Sequence, residues 1–169
     1  MTPTEFAEKW NGSPIVQYRL TSPAAEGLPP AATSALREVG LPEHAEPWLT
    51  FREYDAADAQ AYYPVGHLAN GSLICVEKVT GRLLIIDRDD PDEIWQLNSS
   101  LEALYESLVI YNVFIDEVNK RNPRFAADYR IPEGMLGELK RKLTACDPEA
   151  MEAKGYWYCE IKVLDDGTL

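Results

Sequence analysis

Histidine and cysteine are scarce in this chain of 169 residues, which has 2 histidines and 3 cysteines. Neither His44 nor His67 has a second histidine three or four residues away, so a histidine-based metal site is not expected. His44 is expected at the surface, and His67 is expected to be a hydrogen-bonded structural residue. Cys75, Cys146 and Cys159 are an odd number without close spacing, which argues against a disulfide framework and a zinc knuckle. Cys75 and Cys159 lie in apolar runs and are expected to be buried.

The chain also lacks the motifs that mark common catalytic sites. There is no glycine-rich phosphate loop followed by lysine and serine or threonine. Ser72 follows Gly71, but the Gly-x-Ser-x-Gly pattern of a nucleophile elbow is absent. We therefore expect no catalytic residues and no cofactor. An enzyme whose site is dispersed along the chain remains as a remote alternative.

Long apolar runs are missing as well. No run approaches the roughly 20 residues that a membrane-spanning helix needs. Residues 1–10 have no apolar segment followed by a small-residue cleavage site, so we expect no secretory signal. The expected location is the cytoplasm, where unpaired cysteines are the rule.

What the chain has in excess is negative charge, with 28 acidic against 16 basic residues and a formal net charge of −12. Such a surface repels nucleic acid and anionic membranes and attracts basic partners, although acidity also serves solubility alone. Residues 1–110 carry 17 acidic and 7 basic groups, which hints at one acidic face. The length and the 46% hydrophobic content predict a single packed domain over residues 1–169.

Short apolar runs separated by turn signals predict a sheet in the middle of the chain. Asn70-Gly71 and Thr80-Gly81 are tight-turn sequences, so the strands that they join are expected to be antiparallel neighbours. The strand candidates are residues 49–54, 62–68, 73–77, 82–87 and 93–97, with residues 156–164 as a last strand.

Helix signals lie on both sides of these strands. Thr2 and Glu5 can form a capping box. Ser99-Ser100-Leu101-Glu102 offers a second capping box, and apolar residues at helical spacing follow it as far as Asn122-Pro123. Segregated helices and strands favour an α+β fold, with a central, mostly antiparallel meander flanked by N-terminal and C-terminal helices. The helix candidates are a segment ending at Asn11-Gly12, then residues 30–39, 101–121, 132–143 and a short turn within 147–155.

The densest polar feature is the acidic segment of residues 87–93. It fails the EF-hand spacing, because the sixth position is Asp92 rather than glycine and the twelfth is Asn98 rather than glutamate. Three interpretations remain open: a solvated turn, an acidic epitope for a basic partner, or a metal loop. The candidate partner-binding acids are Asp89, Asp90, Asp92 and Glu93.

Aromatic residues are the second candidate for partner binding. Tyr62 and Tyr63 are adjacent on a predicted strand, so their side chains point to opposite faces. At least one of them is a candidate anchor, because tyrosine and tryptophan are favoured at interfaces. The alternative is one core tyrosine and one tyrosine at the rim. Residues 156–158 have the same ambiguity, and Trp95 is expected in the core.

The middle of the chain resembles a known family. Residues 63–76 and 80–87, followed by Ile94-Trp95-Gln96-Leu97 and Ser100-Leu101-Glu102-Ala103-Leu104, resemble the SUKH superfamily of immunity proteins related to Smi1 and Knr4. Within it the similarity is closest to the SUKH-4 group. It is best over residues 60–120, and it implies a SUKH-like core over residues 28–164, preceded by an N-terminal helix and lead-in over residues 1–25.

The resemblance implies a bacterial immunity protein that binds and neutralises a cognate polymorphic toxin, often a nuclease or a nucleic-acid deaminase. It implies no catalytic residues. The acidic charge agrees, since an acidic inhibitor can steer towards the basic groove of a nuclease. The alternative is an interaction or regulatory scaffold of the same fold, as in fungal relatives. Whether the protein is a monomer or a homodimer stays open, because an exposed strand edge can support a dimer.

Overall fold

The centre of the fold is a six-stranded antiparallel sheet, seen in a computed structural model that describes residues 1–54 and 61–166. Each strand pairs with its neighbours in the sequence, so the predicted meander is confirmed. A separate two-stranded sheet joins β1 (Ile15–Val16) to β2 (Leu41–Pro42). The strands of the six-stranded sheet are β3 (His44–Ala45), β4 (Leu49–Phe51), β5 (Tyr62–Leu68), β6 (Leu73–Glu77), β7 (Leu83–Ile86) and β8 (Ile94–Asn98).

Helices come before and after the sheet, as an α+β fold requires. The N-terminal capping box is present, with the Glu5 amide donating to Thr2 Oγ1 at 3.3 Å. Gly40 follows the second helix with a left-handed φ of +89°, and a Cβ there would collide with the Val16 carbonyl oxygen. Only glycine fits this close approach. The helices are α1 (Pro3–Lys9), α2 (Pro30–Glu38), α3 (Leu101–Arg121), α4 (Phe125–Asp128), α5 (Met135–Cys146) and α6 (Tyr156–Asp166), with 3₁₀ turns at Pro23–Ala25 and Glu149–Met151.

The last element corrects a prediction, because residues 156–164 form most of α6 and not a strand. Aromatic and β-branched residues gave the segment its strand-like composition. However, Trp157, Ile161 and Leu164 are spaced by four and three residues, so a helix buries all three on one face. Burial of Trp157 against the sheet decides the conformation, because it contributes more free energy than the strand propensity of these residues.

One face of the sheet packs against the helices. Ile74, Val76, Leu83 and Ile85 point to this face and are buried, whereas Leu73 points to the other face and is exposed. The alternation follows the two-residue period of a strand. A single cluster of buried side chains runs from the first helix to the last, and it includes residues of the N-terminal lead-in.

Both outer strands of the sheet are covered by other parts of the chain. Beside β3, the Glu43 amide donates to the Pro14 carbonyl oxygen at 2.7 Å. Beside β8, the Gln96 amide donates to the Lys154 carbonyl oxygen at 3.1 Å. These bonds use backbone groups that edge-to-edge pairing with another chain would need. Separately, none of the helices in the described ranges has the length and apolar character that crossing a membrane requires.

Candidate partner-binding surface

Three chain segments meet at one end of the sheet, and we call them together the acidic end: residues 46–48, 69–72 and 87–93. The strand register brings them together. Leu49 pairs with Leu68, so residue 48 lies across from residue 69. Leu73 pairs with Ile86, so the turn before β6 lies beside the loop after β7. The acidic end holds 6 acidic residues and 1 basic residue, Arg88.

The loop of residues 87–93 is shaped by its own carboxylates. Asp87 Oδ1 accepts hydrogen bonds from the backbone amides of Asp89 at 2.8 Å and Asp90 at 3.1 Å. These bonds, together with one from the buried Ser72 hydroxyl, lower the pKa of Asp87 below its usual value. Asp90 Oδ1 in turn accepts from the Asp92 amide at 3.2 Å. The loop therefore has a defined conformation despite its exposure.

The predicted acids of this loop all face the solvent. Asp89, Asp90, Asp92 and Glu93 are exposed. None of them takes part in an ion pair with another residue of the described ranges. Within those ranges, no group of three or more histidine, cysteine or acidic side chains is arranged to hold a metal ion. Their negative charge is therefore available to an external basic partner.

The two candidate tyrosines lie elsewhere. Tyr62 pairs with Glu77 and Tyr63 with Val76, which places both at the opposite end of the sheet. Four residues of strand, roughly 13 Å, separate Glu77 from Leu73 at the acidic end. The side chain of Tyr63 is fully buried in the core, so it has no surface to offer, and Tyr62 is half-buried. The expected combination of these acids with these tyrosines in one patch does not occur.

The aromatic residue at the acidic end is instead Trp48, which the sequence pattern did not single out. Its side chain is 63% exposed, and its backbone is left-handed with a φ of +64°. A bulky residue in this region costs about 1 kcal/mol or more. The segment is held in place because the Tyr156 hydroxyl donates to the Pro47 carbonyl oxygen. The sequence signal that could have identified Trp48 is an aromatic residue next to a proline, in an irregular connection between two elements.

Trp48 borders a groove of about 370 Å³, which we call the tryptophan groove. Trp10 also lines the groove, with its indole N–H donating to the Ser13 carbonyl oxygen at 2.8 Å. Gly12 packs directly on the Trp10 ring, where a Cβ would collide. The lining thus combines two tryptophans with apolar and polar side chains. Its further lining residues include His44, Ala45, Glu46, Leu49, Thr50, Ala69 and Asn112.

The two histidines lie in one row across the outer face of the sheet. His67 Nδ1 is hydrogen-bonded to the Tyr54 hydroxyl at 2.6 Å, and its pKa is lowered by burial and by nearby Arg52. His44 Nδ1 lies 3.3 Å from Thr50 Oγ1. Neither contact joins a histidine to a carboxylate and a nucleophile, the arrangement that hydrolytic triads use. Paired residues place the row in the order His44, Thr50, His67, Leu73, Ile86 and Ile94.

Comparison with known proteins gives one family. The family model described as "SUKH-4 immunity protein" matches residues 5–165, which is nearly the whole chain. No curated protein and no solved structure matches.

Proposed function

The chain belongs to the SUKH-4 immunity protein family, and from this membership we propose that it binds a cognate bacterial toxin and neutralises it by protein–protein association. The match over residues 5–165 is the observation that carries the proposal. Immunity proteins act by binding, so we propose no catalytic role for the chain. The place of action that we propose is the cytoplasm of the cell that it protects.

We further propose that the toxin contacts the acidic end. Exposed acids without ion pairs within the described ranges, namely Asp89, Asp90, Asp92 and Glu93, create a negative field there. A field of this kind accelerates association with a basic surface and fixes its orientation. The exposed Trp48, at the same end of the sheet, supplies the kind of large apolar contact that interfaces concentrate at their centre.

A toxin that acts on nucleic acid is the partner class that this charge fits best. Nucleases and nucleic-acid deaminases need a basic groove for the phosphate backbone. A rigid acidic loop can enter such a groove and occupy the phosphate positions. We therefore propose a toxin of this class, which the protein blocks by covering its substrate-binding surface.

Co-expression with a candidate toxin domain, taken from a gene adjacent to the gene of this chain, tests the proposal. We expect a one-to-one complex on size exclusion with mass detection, restored growth of the toxin-expressing cells, and binding that weakens as salt rises. An unrelated basic nuclease is the control and should not be bound. Absence of both complex and protection would refute toxin neutralisation, and recovery of an ordinary cellular complex from lysate would instead favour the scaffold role.

A further inference from the structure

We propose that the tryptophan groove receives an arginine side chain of the partner, with the guanidinium stacked on the Trp48 indole and paired with the Glu46 carboxylate. The identity of the partner rests on the proposed function. The chemistry of the groove does not, so it can be tested on the protein alone.

The first support is the way in which Trp48 is presented. An indole that is 63% exposed offers a free aromatic face, and the left-handed φ of +64° is a conformation that glycine or asparagine would adopt at lower cost. Folding therefore gives little reason for tryptophan at this position. Backbone strain of this kind is concentrated at binding sites.

The second support is the charge of the groove. Its lining contains the carboxylate of Glu46 and hydroxyl and amide groups, and it contains no lysine or arginine. Glu46 is exposed and forms no ion pair with the residues that the structure describes. The charge of Glu46 also adds to the raised pKa of Glu160, although burial of Glu160 is the main cause of that rise. A cation entering here meets an uncompensated negative field.

The third support is that the shape of the groove suits the guanidinium group of arginine better than the ammonium group of lysine. A guanidinium is planar, so it can stack on an indole while its N–H fork reaches a carboxylate. Trp48 and Glu46 are two residues apart and line the same groove, so one side chain can engage both. Asn112, whose side-chain amide donates to Asn11 Oδ1, also lines the groove.

The fourth support is that the site is already formed. The Pro47 carbonyl oxygen is bonded to Tyr156, and the Trp10 indole is bonded to Ser13. The backbone at residue 47 and the Trp10 ring are thus held before binding, so only the exposed side chains of Trp48 and Glu46 remain to be ordered.

The test is an NMR titration of the ¹⁵N-labelled full chain with N-acetyl-arginine amide, in which the indole N–H signals are monitored. N-acetyl-citrulline amide is the neutral control of equal shape. We expect a saturable shift of the Trp48 indole with the arginine compound only, and binding about threefold weaker in Glu46→Gln. An unshifted Trp48 signal, or equal shifts from both compounds, would overturn the proposal.

A second arm uses the cognate toxin domain from the co-expression test. Trp48→Ala should weaken toxin binding by at least about 30-fold, and Trp48→Phe should restore part of the affinity. The matched control is Val79→Ala, since Val79 is 89% exposed at the opposite end of the sheet. Normal toxin binding by Trp48→Ala would refute the arginine site and leave toxin neutralisation intact. An arginine-specific shift without any toxin binding would refute toxin neutralisation alone.

Discussion

The carboxylate of Asp147 is buried and hydrogen-bonded to neighbouring elements, whereas most carboxylates of the acidic loop are exposed to solvent. Asp147 is 2% exposed, and its Oδ2 accepts from Asn98 Nδ2 at 2.9 Å and from the Ser99 amide at 2.7 Å. Asn98 also accepts from the Trp157 indole N–H at 3.0 Å, so the network joins β8 to α6. The loop acids, in contrast, project into solvent.

This difference separates acids that hold the fold from acids that are free for a partner. A buried carboxylate must be fully hydrogen-bonded, because an unbonded one costs several kcal/mol. An exposed carboxylate costs little when left unpaired, and it contributes little to stability. Substitutions in the two regions should therefore separate stability from binding.

The largest effect is expected for Asp147→Ala. It leaves the Asn98 amide and the Ser99 N–H without their acceptor, and we expect the free energy of unfolding to fall by about 3 kcal/mol. Chemical denaturation measures this loss. Asp147→Asn keeps an acceptor oxygen and should lose less. A loss below about 1 kcal/mol in Asp147→Ala would mean that the network is not structural.

The next effect concerns association and not stability. In the double variant Asp89→Lys with Asp90→Lys, the toxin should associate about tenfold more slowly at low salt, because the steering field is inverted. The unfolding free energy should stay within about 0.5 kcal/mol of the wild type. Glu133→Lys is the comparison charge reversal, since Glu133 is exposed, lies outside the acidic end and forms no ion pair within the described ranges, and it should leave the association rate unchanged. Unchanged association rates at low salt would remove the loop from the interface.

A smaller effect is expected for Asp87, which orders the loop by accepting hydrogen bonds from two of its backbone amides. Asp87→Ala removes the acceptor of the Asp89 and Asp90 amides, so the loop loses its preset conformation. We expect toxin binding about threefold weaker, since ordering must then occur on binding. Asp87→Asn retains an acceptor and should bind nearly normally. Equal losses in both variants would point to charge and not to loop order.

The smallest effect is a pH dependence at Glu160, which belongs to neither group. Burial raises its pKa above the usual value of 4.5, although a hydrogen bond from Tyr111 opposes the rise. The folded state therefore binds this proton more tightly, and the stability from it is lost as the pH rises through the folded-state pKa. As the pH rises above 4.5, the melting temperature of Glu160→Gln should gain on that of the wild type. A constant difference would contradict the shift.

Local signals in the chain were sufficient for most of the fold. Asn70-Gly71 and Thr80-Gly81 predicted the turns of the meander, and the serine pair predicted the start of α3, because turns and caps depend on neighbouring residues. The predicted capping box at residues 99–102 was wrong, because Ser100 is the N-cap and Ala103, whose amide donates to its hydroxyl, has no polar side chain to complete the box. Segment 156–164 failed, since its aromatic residues favour either conformation and the burial of Trp157 against distant elements decided the outcome.

For the surface, composition alone predicted an exposed acidic loop at residues 87–93. The reason is that a run of like charges cannot be buried without partners. Composition could not say which exposed aromatic residue lies at the same end of the sheet as that loop. Tyr62 and Tyr63 are closer to it in sequence than Trp48 is. The strand register carries the two tyrosines to the other end of the sheet and brings residue 48 to this one. The sequence by itself thus determined most of the elements and the charge. Only the tertiary structure decided the conformation of residues 156–164 and which residues share a surface, because packing and strand pairing join residues that are far apart in the chain.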